Sequence, residues 1–357
     1  MVKFIRRGDY FMNYNTDKLM NYMKNILSTP SPTGYTENVL NYVKEQLNLL
    51  KAPYIVTNKG AVIVSLKGEN QDYERTFSAH IDTLGAMVKE IKSNGTLGIT
   101  LIGGYMCNSI EGENCTVLTL DDKKYSGTIQ TIKPSVHISG DDARNLKRSE
   151  ENMELILDEK VFSKEDVLNL GINVGDFVAL DPRTTITENG FIKSRHLDDK
   201  ASAAILLYTI EYIITNNIEL PYTTNFFFSN YEEVGHGASA CVSAKTKEFI
   251  SVDMGAPGLN QNSSEYSVCI CAKDSSGPYD YSLRKTLVNL CKEKNIDFKI
   301  DIYPHYGSDA SAALRAGHDI KTALIGPGVF ASHAYERTHI DSVISTLNLV
   351  LSYCQTK

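Results

Sequence analysis

The sequence predicts an α/β protein: a mixed, mostly parallel sheet flanked by helices on both faces, interrupted by a small inserted β module. Three observations predict it. Strand-like and helix-like segments alternate toward both ends of the chain. The stretch from about 88 to 190 carries hairpin and turn signals instead. Acids and histidines recur where predicted strands end, the edge at which open α/β sheets bind ligands.

In chain order, residues 17–28 (DKLMNYMKNILS) have helical apolar spacing, and STPSPTGYT breaks them with two prolines and a glycine. Glu37 to Leu50 reads as a second helix, and 53–66 as strands around an Asn58-Lys-Gly turn. RTFSAHIDTLG reads as a short strand running into polar residues. Asn94-Gly95, between KEIK and TLGITLI, is a hairpin signal, and further short strands follow with turns at LDDKKYSG and at Glu188-Asn189-Gly190. Ser163 and Asp166 of SKEDVLNLG resemble a capping box, while DDARNLKRSEENME is polar and reads as a loop. After 193 the alternation returns. The helix after LDDK is rich in small residues (Ala201, Ser202, Ala203, Ala204) that permit close packing on a sheet. Strand NFFFS, strand EFISVDMG, helix SLRKTLVNLCKEK, strand FKIDIY, helix SDASAALRAG, strand TALIGPG and a last helix from about Asp341 complete the chain. The division expected is a catalytic domain of 1–87 plus 193–357 and an inserted β module of 88–192.

The chain has 357 residues, 42% hydrophobic and 22% charged, with a net charge of −7. That balance argues against nucleic acid as the main partner; Lys3, Arg6 and Arg7 are too short a basic cluster to reverse it. The start has positive charge without an apolar stretch behind it, so no signal peptide is expected, and no run is long enough for a membrane span. The seven cysteines are odd in number and scattered, which points to a reducing, cytoplasmic setting. Cys269 and Cys271 are best explained by alternation on a strand.

His80 and Asp82 end TFSAHID, Asp198 and Asp199 precede a helix, Glu232 and Glu233 end NFFFS, Asp253 ends FISVD, and His333 follows TALIGPG. Five segments thus deliver acid or imidazole to one edge. Such a donor set suits zinc, and also cobalt or manganese. Two ions about 3.5–4 Å apart can clamp a hydrolytic transition state. Singly, each piece has a plainer account: a surface salt bridge for His80-x-Asp82, a helix N-cap for Asp198-Asp199, a solvated turn for Glu232-Glu233.

Read in order, AHIDTLG, HLDDKAS, NYEEVGHGAS, SVDMG, GSDASAAL and SHAYERTH resemble the glutamyl and tetrahedral (deblocking) aminopeptidases, a family of dinuclear metallopeptidases. The likeness also takes in IGGY, KPSVHIS and the S-P-T-G-Y turn, and so nearly the whole chain. It implies a phosphorylase/hydrolase-like metallopeptidase domain with a small β-barrel or PDZ-like insert that pairs subunits, in assemblies from dimer to dodecamer. It implies that His80, Asp198 and Asp253 hold one divalent ion and Asp198, Glu233 and His333 another, with Asp198 bridging. It makes Glu232 the general base and Asp82 the support of His80. Two departures stand near these blocks: Lys200, where the family commonly carries an arginine, and His196 before the Leu-Asp-Asp turn.

The activity so implied is removal of the N-terminal residue from short peptides, with metal-bridged water as nucleophile. The adjacent glutamates are then one ligand and one base: on an extended backbone neighbouring side chains diverge, Glu233 toward the metals and Glu232 toward the water. Two other readings remain. A glycoside hydrolase of endoglucanase type also uses paired carboxylates, but needs no histidines, and with no Trp its sugar platforms would come from 20 Tyr. A catalytically silent scaffold of the same fold would have no use for a complete ligand set.

Overall fold

The computed structural model describes residues 14–357; the basic cluster Lys3, Arg6 and Arg7 lies outside them. Its centre is a nine-stranded sheet. The strands run in the order Tyr54–Val56, Val62–Leu66, Tyr222–Ser229, Asn70–His80, Thr246–Val252, Lys321–Pro327, Val268–Asp274 and Gly277–Pro278, with Phe298–Ile302 also paired to Val268–Asp274. The four strands Tyr222–Ser229, Asn70–His80, Thr246–Val252 and Lys321–Pro327 are mutually parallel, and antiparallel strands close the sheet on either side. Buried on both faces, these central strands read as near-continuous apolar runs. Phe77, Phe226 and Phe228 are fully buried, each contributing roughly 1.5–3 kcal/mol.

Helix Leu197–Thr215 packs on strand Asn70–His80 and is flanked by helices Thr16–Ser28 and Ile340–Cys354. Its small residues Ala201, Ala203 and Ala204 have no exposed surface, which accounts for the alanine-rich start seen in the sequence. The strand Asn70–His80 is longer than its apolar core suggests, because its first five residues are not buried and carry no apolar pattern.

Between Gly85 and Leu180 six strands close into an antiparallel barrel with its own apolar core. A third, three-stranded sheet joins Thr185–Ile186 and Phe191–Ser194 to Glu336–His339, which ties the chain leaving the barrel to the loop after the last central strand. The short helices Val136–Ser139 and Asp141–Asn145 lie at and just before the polar stretch expected to be loop. No helix among the described residues is long and apolar enough to cross a membrane.

Candidate active site

Because the four central strands are parallel, their carboxyl ends open on one edge. His80 is the last residue of its strand, Asp253 directly follows Val252, and Glu232 and Glu233 lie in the turn beyond Ser229. Asp198 enters from the start of its helix, where its dihedrals and those of Asp199 are non-helical and the peptide between them is cis. His333 comes from the loop after Lys321–Pro327.

Asp198 lies between the two imidazoles. Its Oδ1 is 3.2 Å from Nε2 of His80 and its Oδ2 is 3.3 Å from Nε2 of His333. Glu233 Oε2 lies 3.5 Å from His333 Nε2, and Glu232 Oε2 lies 3.7 Å from His80 Nε2. Each histidine spends its other nitrogen on a carbonyl: His80 Nδ1 donates to Asp82 O at 2.9 Å, and His333 Nδ1 to Gly104 O at 2.6 Å. That fixes both rings with Nε2 facing the acids.

The glutamate pair is not on extended backbone, as its strand-end position suggests, but in a turn in which Gly235 N donates to Glu232 O at 2.7 Å. The chain has already left the sheet at Asn230, so strand alternation no longer applies. The two side chains still part, one toward each histidine. Two glycines permit this turn. Gly235 has φ +87, and a Cβ on Gly237 would stand 2.1 Å from Asp309 Oδ1.

Asp82 is fully buried. Its main-chain carbonyl, rather than its carboxylate, is the hydrogen-bond acceptor for His80, whose Nδ1 is 3.8 Å from Oδ1. The carboxylate accepts from Thr33 Oγ1 at 2.6 Å and from the amides of Glu232 and Glu233 at 3.2 and 3.4 Å. Lys200, also buried, donates to Thr29 O at 2.6 Å, so the turn between the first two helices is pinned from both Lys200 and Asp82.

Three partners carry no assigned role in the sequence. Glu336 accepts from the amides of Asp198, at 3.2 Å, and His333, at 3.0 Å, and so joins two segments of the site. Ser332 Oγ donates to Asp198 Oδ2 at 2.9 Å. Asp309 accepts from Ser229 Oγ and from Ala238 N. They sit in blocks recognisable by eye, ERTH, SHAYE and GSDAS, but only the tertiary fold shows what they hold.

The electrostatics mark a place short of positive charge. Burial pushes Glu233 up to about 8 and Asp253 up to about 7, and drives Glu232 and Asp199 well above the usual carboxylate range. Burial is the largest influence on both imidazoles and opposes their charge, yet the surrounding carboxylates, Asp198 first among them, together outweigh it, so His80 is held well above its ordinary value and His333 rises to about 11. Asp198 itself is lowered, its burial overcome by the two histidines. Glu233 Oε1 and Asp199 Oδ1 are buried without a hydrogen-bond partner, a rare condition for a carboxylate oxygen. His80, Asp198 and Asp253 each offer a ligand atom within 4.8 Å of the others. Unpartnered carboxylate oxygens among oriented imidazoles fit a divalent cation. The site opens into a cavity of about 600 Å³ lined also by Gln261, Tyr303, His305 and Arg315.

A mixed sheet with four parallel central strands, an inserted closed barrel and a carboxylate–imidazole edge over a cavity together make a site able to hold a divalent cation beside a substrate. The chain belongs to the M42 glutamyl aminopeptidase family, whose profile matches residues 60–349. It is 53% identical to the aminopeptidase candidate YhfE of Bacillus subtilis, over 95% of this chain and 98% of that protein. Among solved structures it is similar to the TET aminopeptidase of a marine-sediment Thaumarchaeota archaeon, with a TM-score of 0.86 at 20% identity over 96% and 97% of the two chains. It is similar also to the Pyrococcus horikoshii TET1 peptidase, described as assembling into a tetrahedron or a large octahedral shell, with a TM-score of 0.83 at 21% identity over 95% and 100%. At that identity these structures speak to the fold. The chain is therefore a peptide-bond hydrolase, and a glycoside hydrolase is not favoured.

Proposed function

We propose that this chain is a dinuclear metal-dependent aminopeptidase that removes the N-terminal residue of short peptides. The observation that carries the reading is Asp198, whose two oxygens face one imidazole each. His80, Asp198 and Asp253 would hold one ion, and Asp198, Glu233 and His333 the other. Imidazole with carboxylate suits zinc, with cobalt or manganese as alternatives. When bound, such ions supply Lewis-acid chemistry, acidifying water and stabilising developing oxyanion charge.

The chain's own groups do the rest. Glu232, beside the imidazole of His80 and pushed by burial well above the usual carboxylate range, is more basic than an ordinary carboxylate. Its Oε2 takes the proton of the attacking water and returns it to the leaving amine. Asp82 holds the Glu232 and Glu233 amides, and so sets where both carboxylates stand. The cavity of about 600 Å³ receives the N-terminal side chain. Beyond the metal-side acids it is lined by one permanent cation, Arg315, which makes no ion pair among the described residues. This supports an acidic N-terminal residue, as the family's name suggests.

In this reading residues 1–87 and 193–357 form the catalytic domain, and the β module 88–192 pairs subunits. The likeness to the Pyrococcus horikoshii TET1 peptidase, described as assembling into a tetrahedron or a large octahedral shell, supports a homo-oligomer. Seven free cysteines suit the cytoplasm. Metal titration of the chelated protein alongside a panel of aminoacyl anilides tests the proposal. Two ions per chain and metal-dependent release of anilide are expected; anilide hydrolysis at full rate in chelator would overturn it.

A further inference from the structure

The loop that carries His333 is conformationally costly and is held from outside the sheet. Ala331 and His333 both have positive φ, 58 and 64, a region unfavourable for residues with a Cβ. Such a loop keeps its shape only where neighbours over-determine it. Two of its neighbours, Gly104 and Arg183, come from the inserted module, and a third, Arg195, from the segment that leaves it. Gly104 O accepts from the His333 ring. Arg195 Nη1 donates to Ala334 O at 3.3 Å. The Arg183 guanidinium lies 4.2 Å over the Tyr335 ring, whose hydroxyl donates back to Arg183 O at 2.9 Å.

Both arginines converge on one carboxylate. Glu113, immediately before barrel strand Asn114–Leu118, is 3% exposed and accepts from Arg195 at 2.6 Å and from Arg183 at 2.8 Å. Arg195 is equally buried; it also donates to the barrel carbonyl of Ser109 and stands three residues before Asp198. A buried arginine that lost its carboxylate would be left as an uncompensated charge, and it would move rather than stay. Ala334 O would then lose its donor, next to the imidazole.

We propose that Glu113 of the inserted barrel, acting through Arg195 and Arg183, is a positioning residue for His333 and hence for one of two bound ions. This rests on the dinuclear reading above. The asymmetry is what the geometry argues. The group around His80 and Asp253 is anchored by the central strands, to which no hydrogen bond or ion pair of Glu113 runs among the described residues. The group around His333 and Glu233 borrows its rigidity from the barrel.

The test is calorimetric titration of chelated protein with zinc, and separately with cobalt followed by its visible absorption. The wild-type chain comes first and should take up two ions; if it does not, the dinuclear reading fails and not only this inference. With two ions established, Glu113→Gln should bind the first with wild-type affinity and the second about 10–100-fold more weakly. Arg195→Lys, which keeps the charge but loses the fork, should do the same to a smaller degree. Arg183→Met removes a partly exposed arm and folds even where the buried variants do not; it should weaken the second ion alone. Equal affinities for both ions in the folded variants, or equal weakening of both, would overturn the proposal.

Discussion

Asp82 and Glu232, 150 residues apart in sequence, are joined by a hydrogen bond: the Glu232 amide donates to Asp82 Oδ1 at 3.2 Å. The carboxylate beside His80 thus shapes the turn that carries the two glutamates. Asp82→Asn puts a donor where two amides and a hydroxyl need acceptors. It should lower kcat by about 10–100-fold with little change in KM, since the cavity wall is untouched. Steady-state kinetics on one anilide check this; unchanged kcat would show that the turn holds its shape without Asp82.

Glu232→Gln keeps the shape of the side chain and removes its basicity. The proposed ligand set does not include it, so metal binding should be kept. The expected loss in kcat is about 10²–10⁴-fold. Metal content by atomic emission and the rate of peptide hydrolysis, measured on the same preparation, check it together. Wild-type turnover would remove Glu232 from the mechanism.

His80, Asp198, Glu232, Glu233, Asp253 and His333 lie at strand or helix ends or in the loops beyond them, so apolar runs such as NFFFS and ISVD mark where they fall, while their roles come from the family resemblance. The i, i+2 spacing of His80 and Asp82 suggests carboxylate against imidazole, but the strand ends at His80 and alternation ends with it. Glu336 acts 138 residues from Asp198, and Glu113 acts 82 residues from Arg195. Such pairings are set by how sheet and barrel meet, which no local period records. The closure of six short strands into a barrel was likewise beyond local turn signals, which give hairpins but not their circular order.

Arg315 should set the preference for the N-terminal residue. Glutamyl and aspartyl anilides are expected to be cleaved faster than leucyl or lysyl ones. Arg315→Ala should lower kcat/KM for the glutamyl substrate by about 10–100-fold, a charge-assisted hydrogen bond being worth about 1.5–3 kcal/mol, and leave the leucyl substrate alone. An equal loss on both substrates would mean that the arginine supports the wall rather than reads the side chain.

The last expectation concerns pH and the metal-free chain. Glu233, raised to about 8, and Asp253, raised to about 7, keep protons when folded that they release when unfolded. Below the unfolded carboxylate value both states are protonated, so these two groups cost nothing there. Their cost develops as pH rises from the carboxylate range to about 8, at roughly 1.4 kcal/mol per proton per pH unit. His80 and His333 act in the same sense. Their folded values are raised, so the stability they lend is full below about 6.5 and is lost progressively above it. Asp198 is shifted downward, and its contribution is already complete at pH 6. Between pH 6 and pH 8 the metal-free chain should therefore lose stability. Metal binding needs these ligands deprotonated, so the stabilisation on adding zinc should grow over the same interval. Thermal melts of chelated and zinc-loaded protein at pH 6, 7 and 8 check both statements. A chelated chain whose Tm rises from pH 6 to pH 8 would contradict the charge-deficient site described here.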